Sequence, residues 1–158
     1  MGNPSKISNR VKIFSTNKQA SRDYQILATY EAGLVLTGAE VKATKTGQMN
    51  LKGAYITINE NQEPCLVGAQ ISLYKKAHLP YYNPQRTRKL LLHKKEIQSL
   101  TQKLRQKGLT LVPLKAYNKG GLVKLEFGLA KGKKKWDKRQ DIKKKEAVRK
   151  IDRALKNY

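Results

Sequence analysis

The chain has 158 residues, of which 34 are Lys or Arg and 11 are Asp or Glu, for a formal net charge of +23. A chain of this length builds one adequate hydrophobic core and hardly two, and so strong a positive charge is costly through self-repulsion unless a polyanion offsets it. No run approaches the ~18 apolar residues of a membrane span, and a single cysteine, Cys65, excludes an internal disulfide framework and a zinc ribbon. Met1 to Arg10 lacks an apolar signal core. The expectation is a soluble cytoplasmic protein with no membrane partner, in which release of counterions from phosphate makes nucleic acid the leading ligand.

Residues 1–8 hold Gly, Asn, Pro and Ser with hardly an apolar anchor, and read as a mobile arm. From Tyr24 the pattern has period two: Tyr24, Ile26, Ala28, Tyr30 and Ala32 alternate with Gln25, Leu27, Thr29 and Glu31, which predicts a half-buried strand. Gly33 and Gly38 bracket a turn. Ala39 to Lys45, stopped by Gly47, has the length of one short helix with Lys42 and Lys45 toward solvent. Ala54–Ile58 and Cys65 onward to Leu73 read as two strands of a hairpin, joined by the polar turn Asn59–Pro64.

Lys75 to Lys89 breaks every pattern and reads as a basic, aromatic loop carrying Pro80, Tyr81, Tyr82, Pro84, Arg86, Arg88 and Lys89. Ile97, Leu100 and Leu104 then share a helical stripe. Lys103, Arg105 and Lys107 lie near its C-terminal end, where cations suit the macrodipole, and Gly108 ends it. Leu109–Tyr117 and Leu122–Leu129 make a second hairpin about the turn Asn118–Gly121, with Val123, Leu125, Phe127 and Leu129 on one face and Lys124 and Glu126 on the other. About six antiparallel strands without a βαβ rhythm imply a mainly β fold. The expected architecture is an OB-like antiparallel β-barrel over residues 1–130, with about two to three short helices.

Residues 131–158 hold thirteen Lys or Arg against four Asp or Glu, a net of +9. Asp141/Lys145, Glu146/Lys150 and Asp152/Lys156 each place an acid four residues before a lysine, the favourable helical order. Repulsion opposes that helix, so the basic C-terminal tail is expected to be disordered when free and helical when bound. Asp137, with Gln140 three residues on, reads as its N-cap.

The residue inventory gives little to catalysis. The two histidines, His78 and His93, have no carboxylate at suggestive spacing, and no GxxxxGK phosphate loop is present. Neither a catalytic residue, a metal nor a cofactor is expected. Basic residues interleaved with aromatics, in place of one strong recognition helix, favour RNA over duplex DNA. Read singly, Glu31 suits a solvated strand position and His93 a helix cap. Tyr81 and Tyr82 suit packing or stacking alike, and Lys124 suits a solubilising role or a phosphate contact.

Five segments taken together carry more. Asn17–Ala20, Tyr30–Leu34, Gly38–Lys42, Arg86–Leu92 and Gly128–Lys134 through Asp137–Arg139 resemble the small protein B (SsrA-binding protein) family. The resemblance implies an adaptor that binds the tRNA-like domain of transfer-messenger RNA and, with elongation factor Tu, brings it to stalled ribosomes for trans-translation. It implies an RNA-contacting surface of Lys18, Glu31, Arg88, Lys89, Leu91, His93, Lys124, Lys131, Lys133 and Lys134. It further implies tail contacts to the decoding centre and empty mRNA channel through Trp136, Asp137, Lys138, Arg139, Ile151 and Leu155, by a protein that acts as a monomer. The alternatives are a structural ribosomal protein or general RNA-binding protein with an OB-like barrel, and a ribonuclease using His78 and His93.

Overall fold

A computed structural model describes residues 11–157, so the arm expected over residues 1–8 lies outside the described residues. In chain order the elements are β1 (Ile13–Thr16), α1 (Lys18–Asp23), β2 (Tyr24–Leu34), α2 (Gly38–Lys45), β3 (Met49–Asn50), β4 (Tyr55–Ile58), β5 (Pro64–Val67), β6 (Gln70–Ile71), β7 (Arg88–Leu91), α3 (Lys94–Leu104), β8 (Leu109–Lys119), β9 (Leu122–Gly132) and α4 (Lys135–Lys156).

The period-two segments form the long strands. In β2, Tyr24, Ile26, Ala28 and Tyr30 are half-buried and Ala32 and Leu34 buried, while Gln25, Leu27, Thr29 and Glu31 are exposed. The turn between β8 and β9 needs only Gly120 and Gly121, at φ 59° and 80°, the left-handed pair that a tight hairpin of the right twist requires. Its register sets Tyr117 opposite Lys124 and Ala116 opposite Leu125. Hydrogen-bonded neighbours then run β8, β4, β5, β7, β2, β9 and back to β8, a ring-like antiparallel sheet. Closure leaves few strand edges unpaired. β8 is long enough to pair with β9 along one side and with both β4 and β1 along the other.

Inside the ring, Ile56, Leu66, Leu90, Leu111, Leu125 and Phe127 are buried together, with Tyr30 stacked on Phe127 at 5.5 Å between ring centroids. Each such leucine contributes about 1.5–3 kcal/mol, so packing is the main support of a domain that has no disulfide. The apolar stripe of α3 brings Leu100 onto this core. On the outer face α1 covers a smaller cluster of Ala20, Val112 and Ala130. Gly128 admits the crossing of β2 there, because a Cβ at that position would sit 2.9 Å from Ile26 Cγ2.

Several expectations need correction. The described residues hold nine strands in place of about six, because β1, β3 and β6 are too short to show a period. The strand expected from Cys65 to Leu73 breaks at Gly68, φ 80°, and β6 leaves the ring to pair with β3 in a separate two-stranded sheet. Arg88 and Lys89 belong to β7, not to a loop. Asp137 is not the N-cap of α4: the Lys133 amide donates to Asp23 O at 2.9 Å and keeps the chain extended through Lys134, so the helix opens at Lys135 with Asp137 inside its first turn. β9 likewise runs to Gly132, which makes Lys131 a strand residue opposite Gln25 and Leu109.

The largest correction concerns Arg88, expected on the RNA-facing surface and found fully buried at 0% exposure. Its Nε donates to Glu40 Oε2 at 2.6 Å, Nη1 to Ala69 O and Arg86 O, and Nη2 to Pro84 O. Glu40 is itself buried in the first turn of α2, where its amide donates to the capping Thr37 hydroxyl at 3.3 Å and that hydroxyl donates to Oε1 at 3.3 Å, the oxygen that also accepts from Arg86 Nε at 2.6 Å. Burial pushes the Glu40 carboxyl up, but the two guanidinium groups outweigh it and hold the group below the ordinary carboxylate value. Arg88 is therefore a clasp joining α2, β7 and the loop between β6 and β7.

Candidate nucleic-acid interface

A groove of about 870 Å³ opens on the face of the ring where β2, β7, β9 and the start of α3 meet. Four of the expected contact residues line it: Glu31 from β2, Leu91 from β7, His93 before α3 and Lys124 from β9. Leu91 is 58% exposed, a large apolar side chain left uncovered. It stands against Gly33, its pairing partner, where a Cβ would come within 3.3 Å of Leu91 Cβ. The glycine thus lets the apolar ridge lie close to β2.

His93 occupies the N-cap position of α3 but makes no side-chain capping bond, so the role of a simple cap does not use its imidazole. Among the described residues Lys124 makes no ion pair. Glu96, half-buried, adds a second carboxylate to the wall.

Glu31 is the most elaborately held of the four. The Tyr117 hydroxyl donates to its Oε2, and Lys119 Nζ lies 3.1 Å from Oε1 and 3.2 Å from Oε2. The phenol and then the lysine hold this carboxyl below its usual value despite slight burial. Burial and the neighbouring carboxylate push the Tyr117 hydroxyl up, so it remains a neutral donor. On the adjoining strand Glu126, opposite Glu31, is paired with Lys115 at 3.1 Å. Glu31 is therefore ionised and oriented, with acceptor capacity left on Oε1. A carboxylate of this kind suits base N–H and ribose 2′-OH donors, an exposed leucine suits a base or sugar face, and a free lysine suits phosphate.

The other expected residues lie elsewhere. Lys89, beside this groove on β7, is paired with Glu63 at 3.0 Å. Lys18 is exposed in α1, in a cleft shared with Arg22, Lys115 and α4. Lys133 donates to Ser21 O at 3.0 Å and pairs with Asp141, and Lys138 pairs with Asp23 at 3.6 Å, so the first turns of α4 rest on α1. Lys131, Lys134, Asp137 and Arg139 are exposed with no ion pair among the described residues. Beyond that point α4 buries nothing, and Trp136, Ile151 and Leu155 are 69%, 59% and 70% exposed.

Tyr117 and Lys119 were not among the expected contacts. Their signal was present, since residues two apart on a strand share a face, but their meeting with Glu31 depends on β9 lying between β2 and β8. Among the described residues no three His, Cys, Asp or Glu side chains converge as a metal site, and no helix is long and apolar enough to cross a membrane.

A ring-like sheet with a mixed polar and apolar groove on one face and a cationic helix projecting from it defines a small polyanion-binding β protein. Residues 14–157 match the family model described as SmpB protein, and the chain belongs to that family. It is 49% identical over 146 residues to the SsrA-binding protein of Enterococcus faecalis, covering 92% of this chain and 94% of that one. To the SsrA-binding protein of Thermosipho africanus it is 50% identical over 147 residues, covering 92% and 98%. A solved chain described as "tmRNA-SmpB: a journey to the center of the bacterial ribosome" superposes with a TM-score of 0.63 at 46% identity, over 76% of this chain and 84% of that one.

Proposed function

We infer that this protein is an RNA-binding adaptor of ribosome rescue. It binds the tRNA-like domain of transfer-messenger RNA and delivers it to stalled ribosomes for trans-translation. The observation that carries this reading is the single groove in which Glu31, Leu91, His93 and Lys124 meet, drawn from three separate stretches of the chain. The ring is read as an OB-like barrel, a scaffold suited to unpaired nucleotides. The protein acts as a monomer in the cytoplasm, and elongation factor Tu joins the delivery complex.

α4 is assigned to the ribosome. The side-chain ion pairs of its first turns, Lys133–Asp141 and Lys138–Asp23, are partly exposed, and pairs open to solvent are worth only about 0–1 kcal/mol. Ribosomal phosphate competes for them readily and relieves the repulsion along the helix. Trp136, Asp137, Lys138 and Arg139 are then free for the decoding centre, and Ile151 and Leu155 for the walls of the mRNA channel.

Truncation after Lys134 tests this division, because it removes α4 and leaves β9 and the Lys133–Asp23 bond. The tail charges act only within a Debye length, about 8 Å at physiological salt, so binding of the tRNA-like domain should stay within about fivefold of the full chain. Tagging on stalled ribosomes in a reconstituted system should be abolished. Equal loss of both activities would show that ring and tail bind the RNA as one surface.

A further inference from the structure

A second groove, of about 710 Å³, adjoins the first and runs between α3 and the β4–β5 turn. Leu91 and Leu92 line both, so the two are continuous across the β7 ridge. Its floor is apolar: Pro64 and Leu90 are buried and Ile97 is half-buried. Its rim is cationic, with Lys94 exposed at the start of α3 and Arg105 exposed at its C-cap. The one acid at the edge, Glu63, is already engaged by Lys89 at 3.0 Å and Asn59 at 3.3 Å, which together hold its carboxyl below the usual value. What remains of the charge is an unspent positive edge.

Gln62 marks the site out. Among the described residues it is the only non-glycine with positive φ, at 60°, where it closes the hairpin turn with its backbone amide donating to Asn59 O at 3.0 Å. Its amide faces α3, with Oε1 3.3 Å from the Thr101 hydroxyl. That hydroxyl has one proton, and its 2.7 Å bond to Ile97 O is the stronger claim on it. The Gln62 amide is therefore weakly held and available, and Gln98 and Gln102 offer further amides from the facing helix.

An apolar floor, converging amides and flanking cations together match one chemistry: a base face, a base edge and its phosphates. The rim charge and the continuity with the first groove favour RNA over an apolar protein helix. We propose that this groove receives one unpaired nucleotide of the RNA that covers Leu91. Its base lies on Ile97 and Leu91, its edge meets the Gln62 amide, and its phosphates lie between Lys94 and Arg105. The inference rests on the RNA-binding reading of the first groove and extends it to a specific subsite.

The test uses the full chain and the isolated tRNA-like domain of transfer-messenger RNA, with affinity measured against salt and nucleotide protection read by chemical probing. Gln62→Gly removes the amide and suits the positive φ, so it does not endanger the fold. It should weaken binding about three- to tenfold, leave the salt dependence unchanged and unmask a single nucleotide. Joint Lys94→Ala and Arg105→Ala should lower the slope of log affinity against log salt by about 1.4, as for two lost single-strand phosphates.

Unchanged affinity and protection in the first variant, with an unchanged slope in the second, would overturn the subsite; so would an occupant that proves to be protein. If Glu31→Ala and Lys124→Ala weaken binding while these variants do not, the subsite alone falls. If the wild-type chain does not bind this RNA, both readings fall together.

Discussion

Glu40 and Glu31 are both carboxylates held by neighbouring side chains, and they differ in how much acceptor capacity is left over. Glu40 sits in the interior with both oxygens consumed by Arg86 and Arg88, and Arg88 gives its remaining contacts to three backbone carbonyls. Glu31 stands on the outer face with a phenol and a flexible lysine as partners, and acceptor capacity remains on the side of the groove. Burial makes the difference. A desolvated charge must have every valence filled by the protein, so the Glu40 cluster can only be structural, whereas at the exposed Glu31 water can fill the acceptor capacity that the proposed RNA contact would use.

The sharpest way to break the comparison is to remove one cation from each cluster. Arg88→Ala leaves Glu40 buried beside Arg86 alone and should cost about 3–5 kcal/mol of stability, read as a lower urea midpoint. Lys119→Ala removes a partner 59% exposed and should cost no more than about 1 kcal/mol. Comparable losses would mean that the two clusters are not energetically distinct.

Little of this contrast is visible in the chain itself. Arg86-Thr87-Arg88-Lys89 reads as a basic run, and strand alternation says that Arg88 and Lys89 face opposite ways without saying which is inside. The answer lies with Glu40, 48 residues earlier. By contrast, β2 and β9 show their alternation plainly, and the outward side of Lys124 follows from Val123, Leu125, Phe127 and Leu129 alone. The helix of the tail is readable in its acid-to-lysine spacing, but its first residue is not, because a backbone bond to Asp23 decides it. Local periodicity is written in sequence; partnerships that cross the ring are written in topology, which is why Tyr117 and Lys119 escaped notice.

Acid should separate the clusters more gently. Glu40 has a folded-state value below its unfolded one, so its contribution is complete above the unfolded carboxyl range, near about 4.3, and is lost as pH falls through the lower folded value. Glu40→Gln removes that titration. Its stability relative to the parent should improve steadily as pH falls below about 4, because the parent alone is losing an ion pair. Denaturation midpoints collected between neutral and strongly acid pH would show the two curves converging. Parallel curves would mean that Glu40 does not couple to the fold through its charge.

The finest test concerns the phenol that holds Glu31. Tyr117→Phe keeps a buried ring and deletes one hydroxyl, so the carboxylate loses the bond that does most to lower its pKa while Lys119 remains. If Tyr117 acts by orienting Glu31, binding of the tRNA-like domain should weaken about two- to tenfold with no change in salt dependence, since no phosphate contact is lost. In a Glu31→Ala background the same substitution should have no further effect, because residues acting through one another do not add. An equal loss in both backgrounds would mean that Tyr117 serves the groove through packing. The outcome decides whether the exposed cluster, like the buried one, is a set of partners that act only together.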